Sequence, residues 1–169
     1  MSGIKPEYDD TMYSKPVDGV TLTEKIIELN GRRINVNRWA PHGPPKGVVL
    51  VSHGLHEHGL RYYNLARVLA KSSYVVIAMD HSSHGLSEGQ RGLITDYKML
   101  PMDFASLCTA AHDEFVDLPC FIVSHSMGTL VSIMAIADLP FVKVSRSLLC
   151  PLDDIFSVYE ALFQAIGTP

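Results

Sequence analysis

The chain has 169 residues, 47% of them hydrophobic and 19% charged, which fits one domain with a sizeable core and excludes an intrinsically disordered protein. Its formal net charge of −4, from 14 basic against 18 acidic residues, leaves no basic footprint and argues against nucleic acid as a partner. The three cysteines, Cys108, Cys120 and Cys150, lie far apart in apolar segments, which predicts buried reduced thiols and a cytoplasmic setting.

Residues 1–22 form a polar lead-in with Pro6 and Pro16 discouraging helix, and nothing in them has the pattern of a signal peptide. No run of 18 apolar residues occurs anywhere, so no membrane span is expected. Glu24–Leu29 and Arg32–Trp39 flank Asn30-Gly31, the strongest short hairpin signal. Alternation in the second strand places Ile34 and Val36 on one face and Arg33, Asn35 and Asn37 on the other. The run Pro41–Gly47 reads as a loop.

From there the pattern changes. Val48–Val51 is continuously apolar, as a parallel strand covered on both sides must be. Tyr62, Leu65, Ala66, Leu69 and Ala70 make a helical stripe, and Tyr74–Met79 is another buried strand. A helix entered at Pro101 turns Phe104, Leu107, Cys108, Ala111 and Phe115 inward. Phe121–Val123 is then a short strand that breaks at Ser124-His125-Ser126-Met127-Gly128 into a helix with Leu130, Ile133, Met134 and Ala137 at i, i+3, i+4, i+7. Ser145–Cys150 reads as a last strand. Strands alternating with helices after an antiparallel hairpin define an α/β fold with a doubly wound sheet.

The abrupt passage from strand to helix at Ser126 has the form of a nucleophile elbow. Ser126 would project from the sheet, the backbone N–H of Met127 would point at a developing oxyanion, and Gly128 would allow helix and strand to pass closely. Ser124 stands where the G-x-S-x-G pattern has its first glycine. The plain structural alternative is a connection whose serine merely caps the helix. Ser52–Gly59 and Asp80–Gly89 follow two other strands, at the carboxyl ends where ligands collect in open α/β sheets.

Together these three loops resemble the serine α/β-hydrolases of the monoacylglycerol lipase and lysophospholipase type. His53-Gly54-Leu55-His56-Glu57-His58 with Arg61-Tyr62 matches H-G-x-x-E-H followed by R-Y. Asp80–Gly89 matches D-H-x-G-H-G-x-S-x-G except at Ser83, and His125–Gly128 matches G-H-S-M-G-G with Ser124 and Thr129 in glycine positions. The resemblance implies hydrolysis of acyl-lipid esters with Ser126 as nucleophile, the N–H groups of Leu55 and Met127 as oxyanion hole, and His53, Gly54 and Gly128 as loop-shaping residues. Glu57, Arg61, Asp80 and His84 are then loop-stabilising partners, and neither a metal nor a cofactor is called for.

It also implies an incomplete chain. The order in this class is Ser, then Asp or Glu, then His, yet no histidine follows Ser126. Residues 23–150 are expected to form the amino-terminal portion of the hydrolase core, and 151–169 the start of a lid. Within that lid Ile155, Phe156, Tyr159, Leu162, Phe163 and Ile166 make an apolar helical face suited to membrane or acyl chain. The strand Ser145–Leu149 would leave an open edge prone to self-association. Two other readings stay open: a pseudoenzyme that keeps the elbow as scaffold and binds lipid or a partner, and a metallohydrolase using the histidine-dense loops, although their spacing fits no standard zinc site.

Overall fold

A computed structural model describes residues 18–137 and 139 of the chain. Five strands form one sheet: β1 (Val20–Leu29), β2 (Arg32–Pro41), β3 (Gly47–Ser52), β4 (Tyr74–Met79) and β5 (Cys120–Ser124), in the order β1-β2-β4-β3-β5. Three helices, α1 (Tyr63–Lys71), α2 (Met99–Glu114) and α3 (Met127–Ile136), follow β3, β4 and β5 respectively. A 3-10 turn at Gly59–Tyr62 leads into α1. None of the described helices is long and apolar enough to cross a membrane.

The hairpin forms where Asn30-Gly31 places it, with both residues at positive φ, 49° and 75°. β1 and β2 pair antiparallel from Val20 opposite Pro41 to Leu29 opposite Arg32, so both strands run further than the sequence pattern indicated. β2 also pairs antiparallel with β4, whereas β3 runs parallel to β4 and to β5.

Every residue of β3 and β4 is buried. Val48, Leu50, Val75, Ile77 and Met79 face a core closed by α2 and α3, while Val49, Val51, Val76 and Ala78 face a second core closed by α1. The predicted stripe Tyr62, Leu65, Ala66, Leu69 and Ala70 is buried in that second core. In α2 Phe104, Leu107, Cys108 and Ala111 are buried, and Phe115 lies just past the helix end, half-buried. The helix begins at Met99, two residues before Pro101. Cys108 and Cys120 are buried free thiols, and burial pushes Cys108 up to about 12; Cys150 lies outside the described residues.

Two faces differ from expectation. Beyond the exposed Arg33, the polar side of β2 is not solvated: Asn35 and Asn37 are buried, and Trp39 on the same face joins the α1 core. The reason is position, since β2 lies between β1 and β4 and the loops after β3 and β4 close over it. In α3 the apolar stripe faces out, with Leu130 64%, Ile133 50% and Met134 44% exposed, while Gly128, Thr129, Val131, Ser132 and Ala135 pack inward. Only small side chains fit there, because a Cβ on Gly128 would lie 2.1 Å from the Ser52 carbonyl oxygen. The predicted strand 145–150, its open edge and the apolar segment 155–166 lie outside the described residues.

Candidate active site

β3, β4 and β5 deliver their carboxyl ends to one side of the sheet, and the three motif loops meet there. β5 ends at Ser124, and the chain reverses through His125 and Ser126 into α3. Ser126 has φ 49° and ψ −120°, a conformation that L residues rarely adopt, and it is exposed. The reversal is held by His125 N–H donating to the Ser52 carbonyl at 3.1 Å and Gly128 N–H donating to the His125 carbonyl at 2.8 Å. Ser124, in the place of a glycine, donates its hydroxyl to Ser132 Oγ at 2.9 Å. Thr129, the other departure, is fully buried.

The loop after β3 lies directly against this bend. A Cβ on Gly54 would sit 2.9 Å from His125 Nδ1, 3.1 Å from Glu57 Oε2 and 3.3 Å from Ser126 Cβ, so glycine is what allows the two loops to touch. Leu55, the next residue, is exposed beside the bend, and Met127 opens α3 on its other side. Gly54 N–H donates to Glu57 Oε2 at 2.8 Å, Tyr62 donates its hydroxyl to the same oxygen at 2.9 Å, and His125 Nδ1 lies 3.2 Å from it. Arg61 Nε pairs with Glu57 Oε1 at 2.8 Å. Burial works against a charged Glu57, but the Gly54 amide, the Tyr62 hydroxyl and His125 outweigh it and hold the carboxyl below its ordinary value. Burial and the neighbouring carboxylate together drive the Tyr62 phenol up.

His53 is fully buried under the loop. The His81 N–H donates to its Nε2 at 2.9 Å, so Nδ1 carries the hydrogen and donates to the Gly54 carbonyl at 2.7 Å. Both ring nitrogens are thereby committed, and burial lowers its pKa to about 4, partly opposed by the Gly54 carbonyl. Burial lowers His81 well below its ordinary value too, reinforced by His53 and His84. Asp80 organises the third loop: it accepts Gly59 N–H at 2.6 Å, Leu86 N–H at 2.8 Å and the Asn35 amide at 3.0 Å. His84 Nδ1 lies 3.0 Å from the Ser82 carbonyl, within the same loop. Among the described residues no group of three or more His, Cys, Asp or Glu side chains is disposed to hold a metal ion.

The sequence motifs bring Ser126, Met127, Gly128, His53, Gly54, Leu55 and Glu57 to this one place. Two participants were missed. His125 was read only as a motif letter, although a histidine beside the bend and a glutamate in the facing loop form a recognisable donor–acceptor pair. Tyr62 falls in a helical stripe and in the R-Y match, and neither signal marks the oxygen at its tip as a partner of Glu57.

A mixed sheet whose parallel strands β4, β3 and β5 are flanked by helices, with an exposed serine at positive φ between strand and helix, defines an α/β-hydrolase. A family model described as "Serine aminopeptidase, S33" (Hydrolase_4) matches residues 43–150, and the chain belongs to that family. It is 34% identical over 127 residues to a monoglyceride lipase of Rattus norvegicus, covering 75% of this chain and 42% of that protein. It is 36% identical over 100 residues to a monoacylglycerol lipase of Mycolicibacterium smegmatis, covering 59% and 36%. The fold superposes on a carboxyl esterase from Bacillus coagulans with a TM-score of 0.64 at 25% identity, covering 79% of this chain and 44% of that one. The chain thus spans about two fifths of the length of the curated relatives it matches.

Proposed function

We propose that this chain carries the nucleophile and oxyanion-binding part of a serine hydrolase of acyl-lipid monoesters, monoacylglycerols or lysophospholipids, working through an acyl-enzyme. In this reading Ser126 Oγ attacks the ester carbonyl, and the carbonyl oxygen, becoming negative, is received by the N–H groups of Leu55 and Met127. His53, Gly54 and Gly128 shape the two loops that present those amides. The observation that carries the reading is the exposed, positive-φ Ser126 with Gly54 packed against it. The names of the lipase relatives support the substrate class.

His53 is no candidate for general base, because both its ring nitrogens are occupied. No histidine follows Ser126 in the 169 residues, so the base and its acid partner would come from polypeptide beyond this sequence or from another chain. Loss of that base alone lowers turnover by about 10⁶. Turnover of a monoacylglycerol by this chain is therefore expected to be negligible, while a fluorophosphonate should still label Ser126 slowly, and Ser126→Ala should abolish labelling. A probe that leaves Ser126 untouched at saturation overturns the reading. Brisk ester hydrolysis that depends on Ser126 would instead show that another histidine of this chain, such as His56 or His84, serves as base. The same reading places the protein in the cytoplasm, peripheral to membranes through residues 155–166 and prone to self-association; monomers that ignore lipid vesicles on sedimentation would count against those parts of it.

A further inference from the structure

The two amides that the proposed oxyanion hole requires sit on different loops, one after β3 and one after β5, and a hole functions only if both hydrogens reach the same point. Donors must lie about 2.7–3.1 Å from the oxyanion, so a small drift of either loop removes one of them. One side chain touches both loops. Glu57 Oε2 accepts the N–H of Gly54, immediately before Leu55, and lies 3.2 Å from Nδ1 of His125, two residues before Met127. Its other oxygen is fastened by Arg61, and Tyr62 adds a third donor to Oε2. The Glu57 side chain is only 10% exposed, so its contacts on the side of Gly54 and Tyr62 are shielded from water, while Arg61 reaches it from the surface.

We propose that Glu57 is the positioning residue that sets the separation of the Leu55 and Met127 amides by gripping Gly54 and His125 with one carboxylate oxygen. The proposal rests on the oxyanion-hole reading given above and extends it. A carboxylate is required because four donors converge on two oxygens, and only the ionised form offers acceptor sites to all of them. Glutamine has the same shape but turns an NH₂ towards at least one donor.

The test uses the 169-residue protein with Glu57→Gln and His125→Ala. Saturation kinetics of Ser126 phosphonylation by a fluorophosphonate separate the maximal rate from the half-saturating concentration, and amide exchange at Gly54 is followed by NMR. In Glu57→Gln the maximal rate should fall about tenfold or more, towards the ~10²-fold loss of one oxyanion donor, with half-saturation nearly unchanged and Gly54 exchange accelerated about tenfold. His125→Ala, which cuts the tie to the elbow alone, should lower the maximal rate while Gly54 stays protected. A folded Glu57→Gln protein with the wild-type maximal rate overturns the proposal. So does His125→Ala with the wild-type maximal rate, which also decides the matter if Glu57→Gln does not fold. If the wild-type protein is not labelled at Ser126 the hydrolase reading fails, and the exchange arm alone decides: Gly54 protection that survives Glu57→Gln overturns the role of Glu57.

Discussion

Ser126 holds its hydroxyl in the open by standing in a backbone conformation that costs on the order of 1–3 kcal/mol for a residue with a Cβ. Glycine enters that region without penalty but is freer in the unfolded chain, by roughly 0.5–1 kcal/mol. Ser126→Gly should therefore be more stable than the wild type, by about 1 kcal/mol in urea unfolding, while losing all reactivity towards fluorophosphonate; a less stable variant would contradict strain at the bend. Ser126 was legible because the pattern of small residues around a serine between an apolar strand and an apolar helix is unusual. Its neighbours Ser124 and Thr129 depart from that pattern; Ser124 pairs its hydroxyl with Ser132, and Thr129 is fully buried.

Among the elements, α2 carries one fully buried carboxylate, Asp103, that ties it to two distant turns. Asp103 is fully buried and accepts from Arg32 Nε at 3.0 Å, Asn30 Nδ2 at 2.9 Å and Ser82 Oγ at 3.0 Å, so it joins the hairpin turn and the loop after β4 to the helix. Removing it leaves the half-buried Arg32 guanidinium without its partner. Losing hydrogen bonds to a charged group in such a setting costs about 1.5–3 kcal/mol. Asp103→Ala should lower stability by that amount in thermal or urea unfolding, and a loss below about 1 kcal/mol would show that the clamp is redundant. Nothing in the sequence marked Asp103, since an acidic residue between apolar helical positions usually faces water. The buried asparagines of β2 escaped for the same reason, because alternation reports on a strand with one wet face and the middle of β2 has none.

Across the whole molecule, the buried histidines make stability depend on pH. An unfolded imidazole takes up a proton near pH 6.5, whereas folded His53 does so only near 4 and folded His81 resists in the same direction. Between those values the unfolded chain binds more protons, so stability falls as the pH drops from about 6.5 towards 4. His53 alone accounts for about 3 kcal/mol of that loss by pH 4. Glu57, whose carboxyl is held below 4.5, keeps its contribution above that value and loses it as the pH falls further. Urea midpoints should hold from pH 7.5 to about 6.5 and then decline towards 4.5, and a constant midpoint would mean that these rings are hydrated or already charged in the folded protein.

The sequence by itself determined the order of strands and helices, the hairpin at Asn30-Gly31, the two-sided cores and the position of the elbow, because each follows from local periodicity or from the backbone needs of a few residues. Tertiary structure alone decided which face of β2 and α3 is covered, that Asp103 is a buried clamp, and that Glu57 reaches both the loop after β3 and the elbow after β5. The last two outcomes depend on residues 68 to 73 positions apart meeting in space, and contacts at that separation leave no periodic trace along the chain.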